Sequence, residues 1–167
     1  GIFHDIGKIG TADDILKKSV KLTSDEYDII KKHPVKGAHI LSALSMFTGV
    51  VPLVLYHHEW VNGTGYPEGI KGDQIPFLAK ILSVSDAFDA MTSNRRYRSK
   101  LDISHAREQL IRGAGVQFDQ EVVEIFIRVV VDQMDTIMKE MESLDNTVPP
   151  IDFTKESSES YDFPRRV

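Results

Sequence analysis

Val50 to Glu59 reads Val-Val-Pro-Leu-Val-Leu-Tyr-His-His-Glu, an apolar segment that ends in two adjacent imidazoles and a carboxylate. A loop rich in glycine and proline follows at once, from Trp60 to Pro76. Apolar residues at helical spacing need only a core to pack against. A His-His pair at the edge of a buried segment needs more, because two imidazoles lose hydration together and must find polar partners. A metal ion is the simplest partner for both, so the remaining chain is read for further ligands.

The chain contains no cysteine, which excludes disulfides and thiolate metal sites. Any metal must be held by His, Asp, Glu and water. With 167 residues the chain is one domain's worth and can bury a real core. Its net charge of −5, from 20 basic and 25 acidic residues, disfavours a nucleic-acid polymer as partner. A small anionic substrate stays possible, since a local basic cluster around a cation outweighs the global sign. No apolar run has the length of a transmembrane helix, and no membrane contact is expected.

Helical signals dominate, and no strand-like alternation competes with them. The expected class is all-α, a bundle of about six or seven helices. Ile2 to Lys8 reads as the end of a buried helix closed by Gly7 and Gly10. Thr11 to Lys21 reads as a polar connection anchored at Ile15-Leu16. Thr23-Ser24-Asp25-Glu26 is a capping box for a helix from Ser24 to about Lys32, with Tyr27 and Ile30 inward. Pro34 suits the first turn of the next helix, to about Leu44. Val50 to Glu59 is short and apolar. Phe77 to about Thr92 is helical, with Leu78, Ile81, Leu82, Ala87, Phe88 and Met91 inward. Ser104 is the expected cap of a helix to Arg112, and Asp119 caps a long last helix whose apolar face runs from Val122 to Ile137.

On this frame the chemistry-bearing residues fall in order. His4 and Asp5 are adjacent, with Lys8 one turn on and on the same face. His33 precedes Pro34 at a helix junction, then come His57 and His58. Asp86 lies inside a mostly apolar helix, where a carboxylate needs pairing or a metal. Asp89, one turn later, is either a partner to that site or turned to water. Each signal alone is weak: a capping Asp, a surface His. Together they offer six nitrogen and oxygen ligands, too many for one tetrahedral zinc and about right for two metals. His39 and His105 fall on polar faces and are read as surface residues.

His4-Asp5-Ile6-Gly7-Lys8, Lys32-His33-Pro34, His57-His58-Glu59 and Gly63-Thr64-Gly65-Tyr66-Pro67 resemble the HD-GYP domain. So do the stretches from Gly69 to Pro76 and from Asp86 to Thr92, and Arg95-Arg96-Tyr97-Arg98. The match runs in order from His4 to about Val123. This resemblance implies an HD-domain-like helical bundle and a metal-dependent phosphodiesterase that opens cyclic di-GMP to pGpG, in some members onward to GMP. It implies two or three divalent ions, iron or manganese. By motif, His4, Asp5 and Asp86 would hold one ion, and Asp5 would bridge to a second held by His33, His57 and His58. Lys8 would contact the phosphate near the leaving oxygen, Arg95 and Arg98 the other phosphates, and Tyr66 would line the substrate pocket. Arg96 stands where the family usually has proline, and Val61-Asn62 where Trp-Asp is usual; neither change removes a ligand. The family places helices before the His-Asp pair, so the domain is expected over 1–142 without them, followed by a polar tail at 143–167. The resemblance also implies a fused or separate sensor or receiver domain and, from the substrate, a cytoplasmic setting; a homodimer is left open. The rival readings are a cyclic di-GMP receptor without turnover and an HD phosphohydrolase for another cyclic dinucleotide.

Overall fold

A computed structural model describes residues 2–18, 20–93, 102–134 and 136–137. Among the described residues seven α-helices follow in order: α1 (Asp13–Leu16), α2 (Ser24–Ile30), α3 (His33–Ser42), α4 (Val51–Tyr56), α5 (Phe77–Thr92), α6 (Ile103–Gly113) and α7 (Gln120–Phe126). The last continues as a π-helical turn, Ile127–Val131. Among the described residues the only extended pairing is an isolated bridge between Ala114 and Phe118. The all-α class is therefore as expected.

Local chemistry sets the boundaries. The capping box at α2 forms in both directions: the Glu26 N–H donates to Thr23 Oγ1 at 3.3 Å, and the Thr23 N–H donates to Glu26 Oε2 at 2.8 Å. Pro34 and Pro52 occupy the first turns of α3 and α4, where a missing N–H costs nothing. Asp119 caps α7 by accepting from the N–H groups of Glu121 and Val122. Its carboxylate also takes Lys80 Nζ at 2.9 Å, which ties α5 to the start of α7.

The main core lies between α5, α6 and α7. Val84, Phe88, Ala106, Leu110, Phe118, Val122, Val123, Ile127 and Val131 form it, and Phe126 meets Phe88 edge-on with ring centroids 5.4 Å apart. Full burial of side chains such as Leu110 contributes about 1.5–3 kcal/mol each. Val84 and Phe88 are one turn apart on the core face of α5. Asp86 sits two residues from each, about 200° around the helix, and so points to the other side. There α4, α3 and the 3₁₀ turn Ile6–Gly10 pack together.

Several sequence expectations change. Ile2 to Lys8 is not the end of a buried helix: Ile2 and Phe3 are exposed and Ile6–Gly10 is a 3₁₀ turn. The buried residue is Gly7, where a Cβ would lie 2.0 Å from the His33 carbonyl oxygen, so only glycine lets this turn seat on α3. Tyr27 and Leu78, expected inward, are 47% and 57% exposed. The cap position of α6 is Asp102, and Ser104 Oγ donates to the Asp102 carboxylate at 2.6 Å instead. Thr11 to Lys21 holds the one-turn helix α1. Met134 and Ile137 are exposed, since the packed cluster ends at Val131.

Candidate metal centre

Backbone carbonyls decide the tautomers at the centre. His57 closes α4, and its Nδ1 lies 2.7 Å from the Val54 carbonyl oxygen. His33 opens α3, and its Nδ1 lies 2.8 Å from the Ile30 carbonyl oxygen. A carbonyl only accepts, so both Nδ1 atoms carry protons and donate. Both Nε2 atoms then present lone pairs, and they face each other at 3.3 Å. Burial keeps the rings neutral. It lowers His33 and pushes His57 down to about 4. Asp5 Oδ1 lies 3.3 Å from the same His33 Nε2, is buried, and accepts no hydrogen bond among the described residues. Three bare acceptors therefore converge. Such an arrangement is repulsive until a cation is shared between them.

The other expected ligands surround this point. The ligand atoms of His33, His57 and His58 all lie within 4.8 Å of one another. His58 is pushed down to about 3, chiefly by burial and then by the neighbouring His57 and His33. His4 Nε2 is 3.2 Å from Asp86 Oδ1 and 3.5 Å from Asp5 Oδ2. The His4 hydrogen bond, working against burial, holds the Asp86 carboxyl down to about 2. Burial raises the Asp5 carboxyl, but the hydrogen bond and charge of Lys8, with His4 and His33, outweigh it and leave Asp5 below its ordinary value. Lys8 Nζ donates to Asp5 Oδ2 at 2.6 Å. Asp5 thus stands between a His4–Asp86 group and a His33–His57–His58 group. This donor set, all nitrogen and oxygen, suits divalent cations.

The loop after His58 is pinned from several sides. The Tyr66 ring stacks on His58 with centroids 4.9 Å apart, and its N–H donates to the His58 carbonyl at 3.1 Å. Burial pushes the Tyr66 phenol well above its ordinary value, so it stays protonated. The Tyr66-Pro67 peptide is cis. At Gly65 a Cβ would lie 2.3 Å from the Trp60 nitrogen, which excludes any other residue there. The N–H groups of Val61 and Asn62 donate to the carbonyls of Gln117 and Val116, docking the α6–α7 turn on the loop.

Glu59 is the carboxylate that ends the apolar segment from Val50 to Glu59. It is 2% exposed, and its Oε1 accepts the N–H groups of Glu68 at 2.7 Å and Gly69 at 2.9 Å. It is the clamp that closes the loop carrying Tyr66. Its place directly after His57-His58, as an acid in an apolar segment, was the available signal. Asp89 is exposed and accepts from Ser93 Oγ, so it is not part of the centre. His39 and His105 are exposed, as expected. Arg95 and Arg98 lie outside the described residues.

A cleft of about 420 Å³ opens beside His58 and Tyr66, walled by Tyr27, Lys31, Trp60 and Gln117. None of these four was singled out as a site residue from the sequence.

The HD domain family model matches residues 1–122. The chain belongs to the HD domain family. Members of this family bind divalent metals, and His33, His57 and His58 form a cluster that could hold such an ion. A cyclic di-GMP phosphodiesterase response regulator, RpfG, of Xanthomonas campestris is 40% identical over 127 residues, 75% of this chain and 34% of that protein. A cyclic di-GMP phosphodiesterase of Pseudomonas aeruginosa is 38% identical over 131 residues, 78% of this chain and 31% of that protein. A 3'3'-cGAMP-specific phosphodiesterase of Vibrio cholerae is 38% identical over 105 residues, 63% of this chain and 23% of that protein. The chain thus spans about a quarter to a third of the length of these curated relatives. Among solved structures, an HDG"Y"P protein from Bdellovibrio bacteriovorus superposes with a TM-score of 0.58 at 21% identity, covering 72% of this chain and 38% of that one. That likeness shows the fold.

Proposed function

We propose that this chain is the catalytic domain of a metal-dependent phosphodiesterase that opens cyclic di-GMP to pGpG. The observation that carries the reading is the convergence of His33 Nε2, His57 Nε2 and Asp5 Oδ1, three acceptors without a proton between them. His4, Asp5 and Asp86 would hold one ion and His33, His57 and His58 a second, with Asp5 shared. When bound, such a pair activates water as nucleophile and neutralises phosphodiester oxygens. Iron or manganese suits the mixed imidazole and carboxylate donors, and two ions match their number.

The chain's own groups do the rest. Lys8 extends from the Asp5 carboxylate with its side chain 35% exposed, so it can turn to the departing ribose 3′ oxygen and hold a proton there. Arg95 and Arg98 neutralise the remaining phosphate charge by charge-assisted hydrogen bonds. Tyr66, fixed on His58, forms the pocket wall. The domain is assigned to 1–142, with 143–167 as a polar tail. A cytoplasmic setting follows from the substrate; no described helix is long and apolar enough to cross a membrane. The response-regulator name of one relative supports a receiver or sensor as regulatory partner.

A second reading, hydrolysis of a mixed cyclic dinucleotide, is supported by the relatives named 3'3'-cGAMP-specific phosphodiesterases. Both are tested by incubating the chain, supplied with manganese or with iron under reducing conditions, with each cyclic dinucleotide and separating the products. Formation of pGpG from cyclic di-GMP is expected. Exclusive turnover of the mixed dinucleotide selects the second reading, and binding without turnover of either refutes both in favour of a receptor.

A further inference from the structure

The cleft beside the metal centre has the chemistry of a nucleobase pocket. Its volume of about 420 Å³ is in the range of small-molecule sites. Its walls come from three separate parts of the chain: Tyr27 and Lys31 from α2 and its C-cap, Trp60 from the loop entrance, and Gln117 from the α6–α7 turn. His58 and Tyr66 close its inner end, so it is continuous with the centre. The exposure of Tyr27, 47%, is explained by this placement: the ring that periodicity assigns to the core instead faces a cleft. Aromatic faces of this kind stack bases irrespective of sequence. The polar groups are more selective. Lys31 Nζ sits 4.8 Å from the Tyr27 ring centroid and 3.2 Å from Asp28 Oδ1. That ion pair is exposed, spans i to i+3, and is weak enough to be given up to a ligand.

We propose that this cleft receives a purine base of the cyclic dinucleotide, and that Lys31 selects guanine. An ammonium only donates. Guanine offers an acceptor oxygen at O6 where adenine presents an amino group that also only donates. Tyr27 and Trp60 supply stacking surface, and Gln117, whose backbone carbonyl accepts the Val61 N–H, adds a polar residue to the wall. This assignment rests on the phosphodiesterase reading for the identity of its substrate, but not for its geometry.

Trp60 is the single tryptophan of the chain, so its fluorescence reports occupancy of the cleft directly. The test titrates the manganese-loaded chain with GMP and with AMP, neither of which is turned over by a cyclic-dinucleotide hydrolase. Both nucleotides should perturb Trp60 emission, with GMP bound at least about 10-fold tighter, the worth of one hydrogen bond to a charged donor. Lys31→Met should bring that ratio to about 1. Tyr27→Ala should weaken both nucleotides by about 5-fold or more, whereas Tyr27→Phe should match the parent. Silent Trp60 emission, or Tyr27→Ala and Lys31→Met binding like the parent, overturns the proposal. Equal weakening of GMP and AMP in Lys31→Met assigns the lysine to phosphate and overturns the guanine reading. Cyclic di-GMP turnover on the same sample separates the two claims. Turnover with silent Trp60 sinks the cleft alone, and nucleotide binding in the cleft without turnover sinks the phosphodiesterase reading alone.

Discussion

Glu59 offers the most demanding test of how the loop is held. Its carboxylate is 2% exposed, and Oε1 accepts two backbone N–H groups, at 2.7 Å from Glu68 and 2.9 Å from Gly69. A hydrogen bond to an ionised group contributes about 1.5–3 kcal/mol. Glu59→Ala removes two, but the freed N–H groups lie near the surface and recover some hydration. The expected loss is therefore near the lower bound, about 3 kcal/mol, a large share of a domain's usual 5–15 kcal/mol. Glu59→Gln keeps an acceptor for both N–H groups but loses the charge. Its NH₂ would occupy the place of Oε2, which is buried without a hydrogen-bond partner among the described residues. That variant should lose about 1–2 kcal/mol. Urea unfolding followed by Trp60, the adjacent residue, reads both. At a slope of about 2 kcal/mol per M the midpoints should fall by about 1.5 M and 0.5–1 M respectively. A Glu59→Ala midpoint within about 0.3 M of the parent, or a larger loss in Glu59→Gln than in Glu59→Ala, would refute the clamp.

Gly7→Ala places a methyl 2.0 Å from the His33 carbonyl and 2.6 Å from the Gly37 nitrogen, both backbone atoms that cannot give way. It should cost about 3 kcal/mol or more and displace His4-Asp5 from the centre, read as a thermal-melt shift together with lost manganese. Asp119→Ala removes the α7 cap and the close partner of Lys80, for about 2–3 kcal/mol at neutral pH. Partial burial raises the Asp119 carboxyl, but Lys80 and the helix N–H groups outweigh it, so the folded value lies below the ordinary 3.8. Its contribution is thus complete above that value and is lost as pH falls through the folded one; the gap between parent and variant in urea midpoint should shrink only below about pH 4. Lys8→Ala should lower cyclic di-GMP turnover by about 100-fold or more with metal content unchanged, and product analysis beside metal analysis would expose the error if turnover were normal.

Much of this was legible because the decisive residues obey local rules. The Thr23–Glu26 box, the prolines at 34 and 52, and Asp119 each act on backbone within one turn, so their helices begin where expected. The Phe77–Thr92 helix was bounded by Pro76 and a polar stretch, and both ends are as read. The convergence of His4, Asp5, His33, His57, His58 and Asp86 was expected from motif order, although their metal-binding roles are a proposal. What the sequence could not reveal depends on what covers a surface. Periodicity shows that Tyr27 shares an apolar helix face, not whether that face meets a core or a cleft. Leu78 lies in the first turn of α5, where no element among the described residues covers it. Lys31, Trp60 and Gln117 come together only through loop closure, which leaves no periodic trace. The turn at Ile6–Gly10 was misread because a glycine closing a helix and a glycine admitting a close neighbour look alike in sequence.

The most direct test of the metal centre is the number of manganese ions held per chain at equilibrium, measured by dialysis of the chelator-treated protein. The facing lone pairs of His33 and His57 call for one shared cation and the His4, Asp5 and Asp86 group offers a second set of donors, so two tightly bound ions per chain are predicted, falling to one or none in His57→Ala. A parent chain that holds no more manganese than His57→Ala would contradict the account.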